Sequence, residues 1–157
     1  RRRDAGSHPV AAEQSRAKLG DRVGPPISVG DTVFIPLMDE HQVVAISAVD
    51  GSTRWRFTAG ARIDSPPTIS HGLAVFGCRD GWIYALQATD GKFVWRYRAA
   101  PDAQMHVVSD RLESVWPVHG SVLVDRGVAY FTAGRSTCPA TSTGEPGMQP
   151  IRCRSPP

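Results

Sequence analysis

Residues 45–57 read AISAVDGSTRWRF, and residues 85–97 read ALQATDGKFVWRY. Each stretch starts with an alanine, carries an Asp-Gly pair, and continues into a short run that centres on a tryptophan. Asp-Gly between two apolar runs favours a tight β-turn, because glycine tolerates the positive φ that such turns require. Each stretch is therefore predicted to form two antiparallel strands joined by a tight turn.

The similarity between the two stretches extends upstream. Thr32–Ile35 matches Leu73–Phe76, and both runs are rich in the residues that prefer β-strands. A period of about 40 residues that contains short strands and a late tryptophan is typical of a β-propeller blade. The sequence thus predicts an all-β fold, a partial β-propeller of four-stranded antiparallel blades, with blade one at 24–60 and blade two at 65–100.

A third copy begins near the end of the chain. Gly127–Phe131 matches Gly72–Phe76, which indicates an incomplete third blade at 117–136. About two and a half blades cannot close a ring, so we expect the remaining blades to belong to a larger protein. The flanks lack this pattern: residues 1–23 are predicted to be an irregular basic lead-in, and residues 137–157 a disordered tail.

Charge is distributed unevenly over the 157 residues. The chain carries a net charge of +3, yet residues 24–134 hold nine basic and eleven acidic side chains. A nucleic-acid surface would place its basic residues on the folded part, so no nucleic-acid partner is expected. Nor does any apolar run approach the roughly 18 residues that a membrane-spanning helix needs, so we expect no transmembrane segment.

The two stretches also resemble the signature of the PQQ-like propeller repeats, written A-x-D-x-x-T-G-x-x-x-W. Neighbouring stretches resemble bacterial, planctomycete-like members of that family. The signature aspartate is replaced by Ser47 and Gln87, so these are relaxed copies. The resemblance and the repeat together predict six blade-packing residues: Ala45, Gly51, Trp55, Ala85, Gly91 and Trp95.

The resemblance implies that the two tryptophans pack between neighbouring blades. A large indole buries about 150–250 Å², and a blade must bury both faces against its neighbours. The alternative interpretation is that Trp55 or Trp95 stacks on a ligand.

The family resemblance also raises the question of a cofactor. In quinoprotein dehydrogenases that share the repeat, PQQ lies on the axis of a complete ring and is held with calcium and an adjacent cysteine pair. The cysteines of this chain, Cys78, Cys138 and Cys153, are not adjacent, and they match no metal-ligand spacing. We therefore expect no PQQ, calcium or other metal site in this chain.

The segment between blades two and three is the best candidate for a functional site. It is about 14 residues longer than the other inter-blade connection, and we predict an inserted loop or a short helix. Propeller loops often carry binding residues because a rigid scaffold presents them. The possible binding loop contains His106, Arg111, Glu113, Trp116 and His119.

Two other interpretations of this segment stay open. It can be a solvated loop in which Trp116 packs into the next blade, or His106 and His119 can bind a metal with Glu113 or Asp110. No motif for nucleophilic catalysis is present in the sequence, so no catalytic residue is assigned.

The sequence therefore predicts a non-catalytic propeller scaffold or binding module, located outside the cytoplasm. Its expected partners are the remaining blades of its own protein and other proteins. The alternative is part of an extracytoplasmic quinoprotein-type oxidoreductase, with the cofactor site on blades outside this chain.

Overall fold

The computed structural model describes residues 22–134 and the backbone of residues 149–152. Every regular element in these residues is a β-strand, and every strand pairing is antiparallel. The predicted all-β class is thereby confirmed. Within the same residues there is no helix that could cross a lipid bilayer.

The first blade is a four-stranded sheet in which each strand pairs with the next along the chain. Its strands are β1 (Ile27–Val29), β2 (Thr32–Leu37), β3 (Gln42–Ser47) and β4 (Thr53–Thr58).

The second blade repeats this order. Its strands are β5 (Thr68–Ser70), β6 (Leu73–Gly77), β7 (Trp82–Gln87) and β8 (Phe93–Arg98). Because the strands alternate in direction, the β2–β3 and β6–β7 turns lie at the end of the blades that also holds the inter-blade connections. We call this the connection end.

A two-stranded hairpin follows blade two, and a three-stranded sheet follows the hairpin. The hairpin consists of β9 (Met105–Val108) and β10 (Arg111–Ser114), and the third sheet of β11 (Leu123–Asp125), β12 (Val128–Phe131) and β13 (Gln149–Arg152).

The Asp-Gly turns of the two blades have the same geometry. Gly51 and Gly91 both adopt φ of +71°. In each turn the glycine N–H donates to the carbonyl of the residue four positions earlier, at 2.9 Å. Ala45 pairs with Trp55, Ala85 pairs with Trp95, and a β-bulge follows each alanine. The sequence repeat is therefore also a repeat of the backbone.

Blade two lies between two hydrophobic clusters. Along β7, Tyr84 and Leu86 pack into the cluster shared with blade one, whereas Ile83 and Ala85 pack into the cluster shared with the third sheet. This alternation follows from the period of two in a strand. It explains why β6 is buried at every position, since both of its faces are covered.

Trp55 connects blade one to blade two. Its indole Nε1–H donates to the carbonyl of Ala88 at 3.0 Å, and the ring lies over Gly91. A Cβ atom at Gly91 would be 2.6 Å from the indole, so a glycine is required there for space as well as for φ. Trp95 occupies the matching position on β8, is half-buried, and packs against the cluster shared with the third sheet.

The inserted segment differs from the prediction of a loop or short helix, because it forms the β9–β10 hairpin. Exposed and less exposed residues alternate along Met105–Val108, which is a strand pattern. Its turn residues Ser109 and Asp110 both have positive φ, as in the turns that close two-residue hairpins. The turn has no glycine, unlike the tight turns at Gly30, Gly51, Gly72, Gly81 and Gly91, so the sequence did not mark it as a hairpin.

The flanking segments are described only in part. Residues 149–152 form β13, which pairs with β12. Disorder was predicted for these four residues, so the prediction was wrong there. Their backbone groups find hydrogen-bond partners on the edge of β12. The other residues of the predicted tail after 134 lie outside the described residues. So does most of the predicted lead-in, of which Val23 forms a single bridge to Leu37.

We expect Gly91→Ala to destabilise the chain more than Gly51→Ala. Both changes place a Cβ at φ of +71°, which costs about 1–2 kcal/mol. At Gly51 the new atom meets nothing within 4 Å, whereas at Gly91 it overlaps the Trp55 indole, which adds about 1–3 kcal/mol. Urea unfolding of both variants measures the difference. An equal loss of unfolding free energy in the two variants would show that the Trp55 indole does not pack closely against Gly91.

Candidate functional site

The inserted hairpin lies at the connection end and has two different faces. Val108 pairs with Arg111 and His106 pairs with Glu113, so these four side chains share one face. The other face presents apolar residues to solvent. These residues are Met105, Val107 and Leu112, whose exposed fractions are 41%, 71% and 60%.

A buried ion pair fixes the hairpin to blade two. The Nη1 of Arg79, in the β6–β7 turn, donates to both carboxylate oxygens of Glu113 at 2.8 and 3.1 Å. Glu113 is only 3% exposed. Burial opposes the charge of Arg79, but its hydrogen bonds to Asp64 and Glu113 outweigh this effect and raise its pKa. A charge buried this deeply is costly unless it keeps its partner, so the pair holds the hairpin in place.

Asp64 is the centre of this ion-pair network. Its carboxylate accepts hydrogen bonds from Arg62 Nε at 2.7 Å and from Arg79 Nε at 2.5 Å. The Nδ1 of His119 lies 3.5 Å away. Burial by itself would raise the pKa of Asp64. The hydrogen bonds to His119 and Arg79 have the larger, opposite effect, so the net pKa is about 2. Asp64 therefore joins the inter-blade connection, blade two and the start of the third sheet.

A second ion pair connects the hairpin to blade one. Arg111 Nη1 donates to Asp39 in the β2–β3 turn at 2.6 Å. The other oxygen of Asp39 accepts the backbone N–H of Arg22 at 3.1 Å. These two contacts, the backbone bond first, lower the pKa of Asp39. The hairpin thus spans both blades at the connection end.

These residues surround a cleft of about 420 Å³, which we call the arginine cleft. Arginine is the most frequent residue in its wall, together with two carboxylates and the hairpin residues Val108 and Ser109. The charged residues that line it are Arg22, Asp39, Arg62, Arg79, Arg111 and Glu113.

The structure brings together only part of the predicted binding loop. Arg111 and Glu113 line the arginine cleft, and His119 approaches it through Asp64. His106 lies across the hairpin from Glu113, half-buried. Trp116 instead lies against Gly134, next to the third sheet, and does not line the cleft.

Sequence reasoning missed the blade residues of the cleft. Asp39 and Arg79 occupy equivalent positions, 40 residues apart, in the β2–β3 and β6–β7 turns. Their repeat positions could have placed both at one end of adjacent blades. Arg62 and Asp64 lie in the inter-blade connection, whose path the repeat does not specify.

The alternative of a metal site gains no support from this arrangement. Among residues 22–134, no three His, Cys, Asp or Glu side chains are grouped so that they could hold a metal ion. Glu113, one of the ligands considered, is instead held by Arg79.

Two stacked four-stranded sheets and the beginning of a third define this chain as a β-propeller repeat protein. Its family follows from comparison with known sequences. The family model described as outer membrane protein assembly factor BamB matches residues 7–137, and the chain belongs to this family of PQQ-like repeat proteins. The resemblance found in the sequence is thereby confirmed.

Individual relatives differ widely in what their names describe. The chain is 26% identical over 150 residues to outer membrane protein assembly factor BamB from Burkholderia pseudomallei. This match covers 88% of this chain and 37% of that protein. It is 37% identical over 96 residues to serine/threonine-protein kinase AfsK from Streptomyces griseus, covering 57% of this chain and 11% of the kinase. The chain thus spans well under half of either relative.

A solved structure with the same fold belongs to an enzyme. Quinohemoprotein alcohol dehydrogenase from Comamonas testosteroni superposes with a TM-score of 0.58 at 18% identity, over 71% of this chain and 17% of the enzyme. At that identity the likeness shows the fold alone. Proteins named as an assembly factor, a kinase and a dehydrogenase therefore each contain a region similar to this chain, and function has to be argued from the site.

We expect Asp64→Asn to reduce the acid sensitivity of the fold. The folded-state pKa of about 2 is below the ordinary value of 3.8, so the stabilising effect of Asp64 is complete above pH 3.8 and is lost as the pH falls through 2. The effect amounts to roughly 2 kcal/mol. Urea unfolding across this pH range should show a smaller decline for Asp64→Asn than for the unchanged chain.

Asp125→Asn is the control for this experiment. Asp125 is exposed and makes no ion pair with another described residue, so its variant should keep the decline of the unchanged chain. Parallel curves for Asp64→Asn and the unchanged chain would contradict the assignment of Asp64 as the centre of the network.

Proposed function

We propose that this chain is part of a non-catalytic binding module, in which the blades hold the β9–β10 hairpin in position for a protein partner. The observation that carries this proposal is the rigid attachment of an exposed apolar face. Glu113 and Arg111 fix the inner face of the hairpin to both blades. Its outer face then presents Val107 and Leu112 to solvent.

Exposed apolar side chains on a rigid element are typical of protein contact surfaces. Flexible loops lose conformational entropy when they bind, whereas a preorganised hairpin loses little. The name of the family, an assembly factor, agrees with a role in protein contacts. The other partners that we propose are the remaining blades of the same protein, and the proposed location is outside the cytoplasm.

We also propose that this chain binds neither PQQ nor calcium. Its three cysteines, at positions 78, 138 and 153, provide no adjacent pair. The carboxylates Asp39, Asp64 and Glu113 are each held by arginine, which leaves them poorly placed to bind a cation. These residues do not fit the cofactor site that the family resemblance implies.

The second candidate is part of a quinoprotein-type oxidoreductase. The observation that favours it is the fold shared with the Comamonas testosteroni dehydrogenase. In this case the cofactor site would lie on blades outside this chain, and the arginine cleft would have a supporting role.

Site-specific photo-crosslinking tests the binding surface. Benzoylphenylalanine is placed at Val107 or, as the control, at Val49, which is 83% exposed in the β3–β4 turn at the opposite end of blade one. In cells that produce the full-length protein, we expect a discrete protein adduct from position 107 and none from position 49. Equal adducts from both positions, or none from 107, would contradict the proposed surface.

A dye-reduction assay separates the two candidate functions. The full-length protein is incubated with PQQ, calcium, an alcohol substrate and an artificial electron acceptor. We expect no substrate-dependent reduction of the dye. Reduction that requires both PQQ and calcium would establish the oxidoreductase and overturn the non-catalytic module.

A further inference from the structure

We propose that the arginine cleft binds carboxylate side chains from an acidic segment of the partner protein. This inference rests on the proposed function, because it specifies the chemistry of the partner that the hairpin meets. Its basis is the excess of guanidinium groups over carboxylates at a solvent-accessible cleft.

The carboxylates of the network are already neutralised. Asp39 is paired with Arg111 at 2.6 Å, Glu113 with Arg79 at 2.8 Å, and Asp64 with Arg62 at 2.7 Å. Among the described residues, four arginines line the cleft, while its two carboxylates and the neighbouring Asp64 balance only three of them, so one positive charge is left over. Asp39 and Asp64 are both ionised near neutral pH, since the ordinary aspartate pKa of 3.8 is already far below it and both pKa values are lower still.

Arg22 supplies the unpaired charge. It contacts Asp39 through its backbone N–H, so its guanidinium is not used in that bond. Among the described residues this guanidinium has no ion-pair partner, and Arg22 is exposed at the wall of the cleft. Arg111 lies close by and uses only one of its terminal nitrogens for Asp39.

A carboxylate is the ligand that this arrangement fits best. A guanidinium offers parallel N–H groups whose spacing matches the two oxygens of a carboxylate. The positive charge is also local, since residues 22–134, which include Arg22, hold ten basic and eleven acidic side chains. The described surface outside the cleft therefore offers no extended basic stripe for a long polyanion, whereas a short acidic peptide can place its carboxylates in the cleft.

Fluorescence anisotropy with a labelled hexaglutamate peptide tests this inference on the full chain at low ionic strength. We expect binding to the unchanged chain, and a rise of about tenfold in Kd for Arg22→Ser, which removes a charge-assisted hydrogen bond. The matched control is Arg56→Ser, which removes the same charge from an exposed position on β4. It should change Kd by less than about twofold, because screening weakens distant charges.

Each other outcome contradicts the inference. No binding of hexaglutamate, or an equal loss in the Arg22 and Arg56 variants, would show that the cleft has no specific role. Displacement of the peptide by inorganic phosphate at equal charge concentration would identify a phosphate site instead.

The result is independent of the test of the proposed function. If the crosslink from position 107 is retained while hexaglutamate fails to bind, only the carboxylate inference is wrong. If PQQ-dependent dye reduction is found while hexaglutamate binds, the non-catalytic role is wrong and the cleft remains a carboxylate site.

Discussion

The contact between the Trp55 indole and Gly91 is the interaction on which the rest of this structure depends. The ring needs a surface without a Cβ atom, which Gly91 offers, and its N–H needs an acceptor, which the carbonyl of Ala88 supplies. Both requirements are met by one turn of the next blade, so they fix the distance and the rotation between the blades. At that spacing the β2–β3 and β6–β7 turns both lie within reach of the hairpin at the connection end.

The ion-pair network uses this spacing. Asp39 comes from blade one and Arg79 from blade two, and the hairpin reaches both through Arg111 and Glu113. Buried ion pairs contribute little net stability, but loss of one partner is costly because the other charge is then left without compensation. The network therefore specifies where the hairpin lies more than it increases the stability of the fold, which is a suitable property for a binding element.

The sequence allowed the blades to be predicted almost residue by residue, because their signals are local. Thr32–Ile35 and Leu73–Phe76, which match in the sequence repeat, lie in β2 and β6, and Gly51 and Gly91 lie in the β3–β4 and β7–β8 turns that the Asp-Gly pairs predicted. The hairpin was missed because Ser109 and Asp110 adopt positive φ without a glycine. The cleft could be predicted only in part, because contacts such as Arg111 with Asp39 join residues 72 positions apart.

The conformation of Gly51 also has a consequence for how the number of repeat units changes in evolution. It repeats the φ of +71° found at Gly91, in a turn with the same hydrogen bonds. One unit of about forty residues thus encodes both an indole donor on its outermost strand and an acceptor surface for the indole of a neighbour. Tandem duplication of the corresponding gene segment adds a unit that already matches its neighbours on both sides, so the number of units can change in evolution without a new interface having to arise.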